Sequence, residues 1–252
     1  MECSIVIPAH NEAANLEAYI AHFIQTLPYD VAGVLKEIII VENGSSDGTL
    51  DACRRLQQRF PRLIQVCVIP QGSYGEAIKR GMLESRGTHV TILECDFLDH
   101  RFVSASIAIL RLKRAQFVVG SKRHPLSADR RPLKRRILTA LYNYVFLRLL
   151  MGYPGSDTHG LKSIDMPIAK RLCELAITSD EIFQTEIVLL AWKLGIRIEE
   201  VPVHILETRS PTVAVLRRLP KVLNTFRALQ RSLVRFSKLS PQAPKSSYDS
   251  PS

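Results

Sequence analysis

Between residues 3 and 120 the chain alternates, with almost no spare length, between short apolar runs and segments of helical periodicity, and few folds accept that pattern. The runs SIVIP, EIIIVE, IQVCVIP, HVTILE and FVVG each supply one strand's worth of β-branched residues. They carry little polar alternation, so both faces of each strand must be buried. That demands a mostly parallel sheet with helices on both faces. The predicted class is therefore α/β, with a Rossmann-like first half. In the first helical segment Leu16, Tyr19, Ile20, Phe23, Ile24 and Leu27 make one apolar stripe, with Asn11 as its expected N-cap and Pro28 as its stop. A length of 252 residues, 46% of them hydrophobic and 23% charged, supports a sizeable core and excludes a disordered chain.

After Gly120 the rhythm changes. A basic loop (SKRHPLSADRRPLKRR) precedes a helix to about Met151, the loop GYPGSDTHG, two further helical segments and a last strand, RIEEVPVHI. Beyond it, Val213, Leu216, Leu219, Leu223, Phe226, Leu229, Leu233 and Phe236 recur at spacings of three and four, with Arg217, Arg218, Lys221, Arg227, Arg231 and Arg235 between them. This predicts a basic amphipathic helix over 211–237, kinked or restarted at Pro220. Such a helix can lie on an anionic membrane surface, cap its own domain, or pair with another subunit in a homo-oligomer. The proline-rich tail 238–252 has too little apolar surface to order itself. Three regions follow: 1–210, 211–237 and 238–252.

A net charge of +10 calls for anionic partners, and phosphates, anionic lipid or nucleic acid would all satisfy it. No nucleic-acid-binding motif is present, so nucleic acid is not expected. Five scattered cysteines without a CxxC pair indicate neither a disulfide framework nor a zinc cluster. No secretory signal is recognisable, and the longest apolar stretch, YVFLRLLMGY, is broken by Arg148. The expected location is cytoplasmic, with any membrane contact peripheral.

Ligands of an open parallel sheet sit beyond the carboxyl ends of its strands. Here those ends read PAHNE, ENGSSDGT, PQGSYG and ECDFLD, so carboxylates, glycines and hydroxyls converge on one rim. In ENGSSDGT, Gly44 and Gly48 permit tight turns, and Asp47 reads more readily as a turn and helix cap than as a ligand contact. Glu42, straight after an apolar run, suits a base or a ribose. Neither GxGxxG after the first strand nor GxxxxGK[ST] anywhere is present, which removes two common routes to phosphate binding. In ECDFLD, Glu94 and Asp96 stand two apart at a strand end, where both can reach one ion. Such hard oxygen ligands select Mg²⁺ or Mn²⁺ bridged to substrate phosphates. Alone, the octapeptide ILECDFLD favours a solvated strand exit, and the neighbouring strand ends reverse that reading toward metal. Asp99 reads as a helix cap or a solvated acid.

In order and spacing, SIVIPAHNE, IIIVENGSSDGT, GSYGEAIKRGM, ILECDFLD, GSKR, DTHGLKSID and EVPV resemble family 2 glycosyltransferases over about residues 2 to 210, in particular the dolichyl- and polyprenyl-phosphate mannosyl- or glucosyltransferases. The resemblance implies a GT-A fold, a nucleotide diphosphate sugar donor of the GDP-mannose or UDP-glucose type, and a lipid phosphate acceptor. It implies nucleotide-sugar contacts from Pro8, His10, Glu12, Glu42, Asn43, Gly72 and Asp96, and a metal at Glu94 and Asp96. It places the acceptor phosphate at Arg123, Arg135 and Thr139, with Arg131 and Arg136 close by; a guanidinium fork suits that task.

The chain departs from the family pattern in places. Asn43 stands where many members have a second acid. The usual Asp-Ala-Asp with a glutamine two further on is here Glu94, Cys95, Asp96, Phe97, Leu98, with a longer first ligand and no polar group at Leu98. Asp157 and His159 fall in a region matching D-x-x-x-G one residue short, where a lone histidine is more often structural. A phosphate acceptor is already a nucleophile and needs positioning, whereas a hydroxyl acceptor needs a base. Asp180 and Glu181 in TSDEIFQTE stand where relatives carry that base, although acids also favour a helix N-terminus. Asp96, Arg123, Arg135, Asp180 and Glu181 are thus the implied catalytic set, with inversion the family expectation. Two alternatives are a soluble transferase acting on a saccharide or small hydroxyl acceptor, and a non-catalytic nucleotide-sugar-binding protein that kept the fold.

Overall fold

Residues 1–70, 72–129, 147–148, 151–205 and 227–236 are described by the structure, a computed structural model. The five apolar runs are strands: β1 (Cys3–Ala9), β2 (Leu35–Asn43), β3 (Ile64–Ile69), β4 (His89–Ile92) and β5 (Phe117–Ser121). Helices α1 (Leu16–Gln25), α2 (Tyr29–Ala32), α3 (Thr49–Arg59), α4 (Tyr74–Glu84) and α5 (His100–Arg111) alternate with them. Two later helices, α6 (Met166–Leu175) and α7 (Phe183–Lys193), and the strand β8 (Ile198–Pro202) complete the main layer.

A seven-stranded sheet runs β3-β2-β1-β4-β7-β5-β8, in which β7 is the short segment Lys162–Asp165. The pairs β1–β2, β1–β4, β2–β3 and β5–β8 are parallel, as expected. Both faces are buried, and β2 shows how: Ile39 and Val41 join the core under α4, α6 and α7, while Ile38 and Ile40 join the core under α1, α3 and α5. The α/β class with helices on both faces is therefore the observed architecture.

The strand β7 (Lys162–Asp165) was not foreseen. It lies antiparallel between β4 and β5, in the middle of the sheet. Its sequence, KSID, hides it, because Lys162 and Ser163 are polar yet wholly buried. Each is matched by a partner: the hydroxyls of Ser163 and Thr91 share a hydrogen bond of 2.8 Å, and Lys162 Nζ donates to Gly160 O at 2.8 Å and Gln184 Oε1 at 2.5 Å. The segment RIEEVPVHI also divides: β8 joins the main sheet, and β9 (His204–Ile205) pairs in parallel with β6 (Ala128–Asp129).

Two helix expectations need correction. Asn11 does not cap α1; Asn15 holds that position. Asn11 instead adopts φ +56°, and its Oδ1 accepts the Ser46 N–H at 2.9 Å while its own N–H donates to Ser45 Oγ at 3.0 Å. Asparagine tolerates that backbone and ties the β1 exit to the β2 exit. The apolar stripe of α1 is also narrower than predicted, because Tyr19 is 41% exposed.

Most of the predicted basic helix, including Pro220, and the tail 238–252 lie outside the described residues. Within 227–236 the chain is helical; Leu229 and Phe236 are buried in the core under α7, and Arg227, Arg231 and Arg235 are exposed. Ser232 Oγ donates to the buried carboxylate of Glu186. The described part of the apolar stripe thus covers the protein's own domain. No helix among the described residues is long and apolar enough to cross a membrane.

Candidate active site

The carboxyl ends of β1 to β4 open on a cavity of about 580 Å³. One side is built by Pro8, Ala9, His10 and Glu12 from the β1 exit, with Asn43 and Gly72 from the β2 and β3 exits. Glu94, Cys95 and Asp96 from the β4 exit form the floor between the sides, and Tyr74, His159, Glu181 and Gln184 face them from the other side.

The first side is rigid because its loops bond to one another. His10 Nδ1 lies 2.8 Å from Asn43 O, Asn43 Oδ1 accepts the Ser73 N–H at 2.6 Å, and the Glu12 N–H donates to Thr49 Oγ1 at 2.8 Å. Of the residues implied for the nucleotide sugar, Pro8, His10, Glu12, Asn43, Gly72 and Asp96 line the cavity. Glu42 does not. It is 3% exposed, and its Oε1 accepts the Ser45 N–H at 2.6 Å, so its carboxylate closes the turn that follows β2. Asp47 is likewise engaged, accepting from Thr49 N–H at 3.0 Å and Ala13 N–H at 3.1 Å.

At the floor, a tight turn brings the Phe97 N–H to Glu94 O at 2.9 Å and leaves Glu94 half-buried and Asp96 exposed. Asp99 is the N-cap of α5, accepting from the Arg101 and Phe102 N–H groups at 2.9 and 3.3 Å. Its role is structural.

The far side depends on long-range packing. The α4 N-terminus abuts the loop before α7: Ser73 Oγ donates to Ser179 O, and the Glu76 N–H donates to the same oxygen at 2.8 Å. Asp180 and Glu181 then separate. Asp180 Oδ1 accepts the Ile182 N–H at 2.9 Å, whereas Glu181 faces the cavity. The loop is also anchored from behind, where Glu186 Oε1 and Oε2 accept the Ile177 and Thr178 N–H groups, both at 2.8 Å.

Asp157 shapes the loop that carries His159, accepting the His159 N–H at 2.9 Å and the Lys122 N–H at 3.2 Å. The His159 ring opens to the cavity yet is ringed by protein. Loss of hydration and the nearby Lys162 push its pKa down to about 4, so it is neutral at pH 7. Burial lowers Lys162 in the same way, to about 7. Arg123 is exposed at the β5 exit, off the cavity wall, with its N–H donating to Ser121 Oγ at 3.2 Å. Arg131, Arg135, Arg136 and Thr139 lie outside the described residues.

A family model described as glycosyl transferase family 2 matches residues 4–162, which span β1 to the start of β7. The chain belongs to glycosyl transferase family 2. Among relatives within and around this family, a dolichyl-phosphate beta-glucosyltransferase of Dictyostelium discoideum is 30% identical over 215 residues, 80% of this chain and 65% of the relative. A dolichyl-phosphate beta-glucosyltransferase of Saccharomyces cerevisiae is 26% identical, covering 79% of this chain and 65% of its own length. Glycosyltransferase AglD of Haloferax volcanii is 24% identical, covering 81% of this chain and 33% of its own. The chain thus spans between a third and just under two thirds of these curated relatives. Among solved structures, glucosyl-3-phosphoglycerate synthase of Mycobacterium tuberculosis, in complex with Mn²⁺, UDP and phosphoglyceric acid, superposes with a TM-score of 0.65 at 20% identity, covering 97% of this chain and 80% of that one. That likeness establishes the GT-A fold.

For a family 2 member, the donor set at the floor is informative. Among the described residues no cluster of three or more His, Cys, Asp or Glu side chains is placed to hold a metal. Glu94 and Asp96 bring two hard carboxylates to the same cavity, the kind of donor that would share Mg²⁺ or Mn²⁺ with waters and substrate phosphates. Burial, with the nearby Glu94 and then Asp96 and Glu181 adding to it, holds the Tyr74 phenol well above its usual pKa. Tyr74, Gln184 and Lys162 escaped the sequence reading. Each lies within a polar motif, Tyr74 in GSYGEAIKRGM, Lys162 in DTHGLKSID and Gln184 in TSDEIFQTE, but only Tyr74 directly follows a strand end, and the burial of the other two has no local signal.

Proposed function

We infer that the chain transfers a hexosyl group from a nucleotide diphosphate sugar, of the GDP-mannose or UDP-glucose type, to a polyprenyl phosphate. The observation that carries this reading is the convergence of four strand ends on one cavity with Glu94 and Asp96 at its floor. The names of the dolichyl-phosphate relatives support the acceptor.

In this reading Pro8, His10, Glu12, Asn43 and Gly72 receive the nucleoside diphosphate, and Glu42 shapes their wall. When bound at Glu94 and Asp96, Mg²⁺ or Mn²⁺ supplies neutralisation of the departing diphosphate. An oxygen of the acceptor phosphate forms the bond to the anomeric carbon as the bond to the nucleoside diphosphate breaks, and the diphosphate leaves with the electron pair. Attack from the opposite face inverts the centre. The nucleophile is already anionic, so Arg123, Arg135 and Thr139 act by positioning it. The exposed Arg227, Arg231 and Arg235 support an electrostatic seat on anionic lipid, without insertion of the apolar stripe.

Glu181 favours a second reading. A carboxylate on the cavity wall suits a hydroxyl acceptor, whose proton it would take as the oxygen attacks.

A transfer assay with labelled GDP-mannose and UDP-glucose against polyprenyl phosphate tests both. Lipid-linked product is expected from one donor, and Asp96→Ala should reduce it by roughly a hundredfold or more. Undiminished transfer by that variant would remove Asp96 from the mechanism. Product only on hydroxyl acceptors, abolished by Glu181→Gln, would select the second reading. Absence of both transfer and nucleotide-sugar binding would overturn the enzyme.

A further inference from the structure

Gln184 is 2% exposed, and its amide has one workable orientation. Its Oε1 accepts from Gly160 N–H at 3.0 Å and from Lys162 Nζ at 2.5 Å. The Gly160 N–H can only donate, as can Lys162 when charged, so turning the amide over would set N–H against N–H. The Nε2 end therefore faces Tyr74 and donates to its hydroxyl oxygen at 2.5 Å. With that oxygen accepting from Gln184, the phenol's own proton must point elsewhere, and Tyr74 lines the cavity. Lys162, Gln184 and Tyr74 thus form a chain of donors running from the buried start of β7 to the cavity wall.

The neighbours of that hydroxyl define what it can meet. Glu94, Asp96 and Glu181 all place negative charge around it, so a phosphate group in the cavity belongs beside the cation that Glu94 and Asp96 would hold and not beside this hydroxyl. Across the same side stands the neutral His159, and Glu181 offers acceptor oxygens. A wall that mixes neutral donors with carboxylate acceptors matches a polyhydroxylated, uncharged ligand, whose every hydroxyl both donates and accepts.

We propose that Tyr74, oriented by Gln184 and Lys162, donates a hydrogen bond to an oxygen of the donor's hexose and so selects the sugar independently of the nucleoside diphosphate. Tyr74 touches substrate; Gln184 and Lys162 are positioning residues acting through it. The proposal rests on the nucleotide-sugar reading above and adds a residue-level determinant of which sugar is held and how.

The test is calorimetric binding to the full chain in MnCl₂, comparing UDP with UDP-glucose and GDP with GDP-mannose. Tyr74→Phe removes only the hydroxyl. It should weaken the nucleotide sugar that wild type prefers by about tenfold, the worth of one net hydrogen bond, while leaving the matching nucleoside diphosphate within about twofold. Gln184→Glu is the second variant. The new carboxylate still accepts from Lys162 and Gly160 but draws the phenol proton toward itself, so the cavity loses its donor although the protein keeps its shape. The same tenfold loss is expected, and the double variant should add little to it. If Tyr74 served packing alone, Gln184→Glu would not weaken sugar binding, and that result overturns the proposal. So does equal weakening of nucleotide sugar and nucleoside diphosphate, or a Tyr74→Phe variant that binds both as wild type does. A wild-type chain that binds no nucleotide sugar would be seen before any variant is made, and would overturn the underlying reading.

Discussion

The two ends of the sheet hold the same kinds of residue in opposite states. At the amino end of the parallel strands, Glu37 is 1% exposed and saturated with donors: Ser4 Oγ at 2.7 Å, the Arg86 N–H at 2.7 Å and Nε at 2.9 Å, and Gln65 Nε2 at 2.7 Å. At the carboxyl end, Glu94, Asp96 and Glu181 border a cavity large enough for a ligand. A carboxylate whose oxygens are consumed by the fold holds strands together. One presented to a cavity beside other carboxylates raises the local cost of negative charge and is poised to take a cation or a hydroxyl proton. Glu42 and Asp47 obey the same rule although they sit at the ligand end, since their oxygens are spent on the loops that follow β2.

The largest effect should come from unmaking the amino end. Glu37→Ala strips Ser4, Gln65 and the Arg86 backbone of a buried acceptor and should cost about 3 kcal/mol in denaturant unfolding. Little of this comes from the ion pair itself, because the Arg86 side chain is 63% exposed. Burial pushes the Glu37 carboxyl up, but the hydrogen bonds from Arg86 and Ser4 outweigh it and leave its pKa below the ordinary 4.5. Its stabilisation is therefore present above that value and lost as pH falls through the folded-state pKa. Folded Glu37→Ala protein should bind nucleoside diphosphate as wild type does; a binding defect without unfolding would break the division between the two ends.

At the ligand end the order of effects should reverse. A Cβ on Gly75 would lie 2.4 Å from Asp180 O and 2.6 Å from Phe183 Cβ, so α4 and the loop carrying Glu181 could not both keep their places. Gly75→Ala should cost about 2 kcal/mol in stability. In the transfer assay it should cost on the order of a hundredfold, because displacement of about 1 Å at a site is enough for that. Hydrogen exchange should quicken in 176–183 and stay unchanged around Glu37. If activity fell no further than stability, the loop would have no part in holding Glu181 in position.

The same division explains what could be read from the sequence. The nucleotide side is assembled from strand ends whose polar residues follow directly on apolar runs, so order along the chain already gave neighbourhood in space: PAHNE, ENGSSDGT, PQGSYG and ECDFLD meet as expected. Which of their carboxylates line the cavity was not legible: Glu42 closes an apolar run inside β2 and is taken up by the Ser45 N–H, whereas Asp96 stands in the turn after β4 and lines the cavity. The far side was legible only in part. Its centre is β7, a four-residue strand with a buried lysine, and its wall uses Gln184 from the first turn of α7; both depend on partners more than 20 residues away that no local pattern announces. Asn11 misled for a related reason. Its chemistry suits a cap, and the structure uses the same oxygen to join two loops.

The smallest effect sharpens the comparison by pH. His89 opens β4 at the amino end, 1% exposed, and neither ring nitrogen has a hydrogen-bond partner among the described residues. Burial, helped by the amino-terminal charge, lowers its pKa from 6.5 to about 4. The unfolded chain therefore takes up a proton before the folded one does, so stability is lost as pH falls from 6.5 toward 4 and is fully present above that window. Asp165, its partner in β7, has its pKa raised by burial and acts in the opposite sense, at lower pH. Between about pH 7 and pH 5 the His89 contribution should reach on the order of 1 kcal/mol. His89→Leu removes that titration and leaves no unpaired ring nitrogen, so its unfolding free energy should decline less steeply across that range than that of wild type. His159 has a similarly lowered pKa at the ligand end, but its ring is open to the cavity. Its titration should add to the same acid sensitivity and also register in ligand affinity, and a His89→Leu variant that kept the full wild-type slope would place the acid-sensitive group at the ligand end instead.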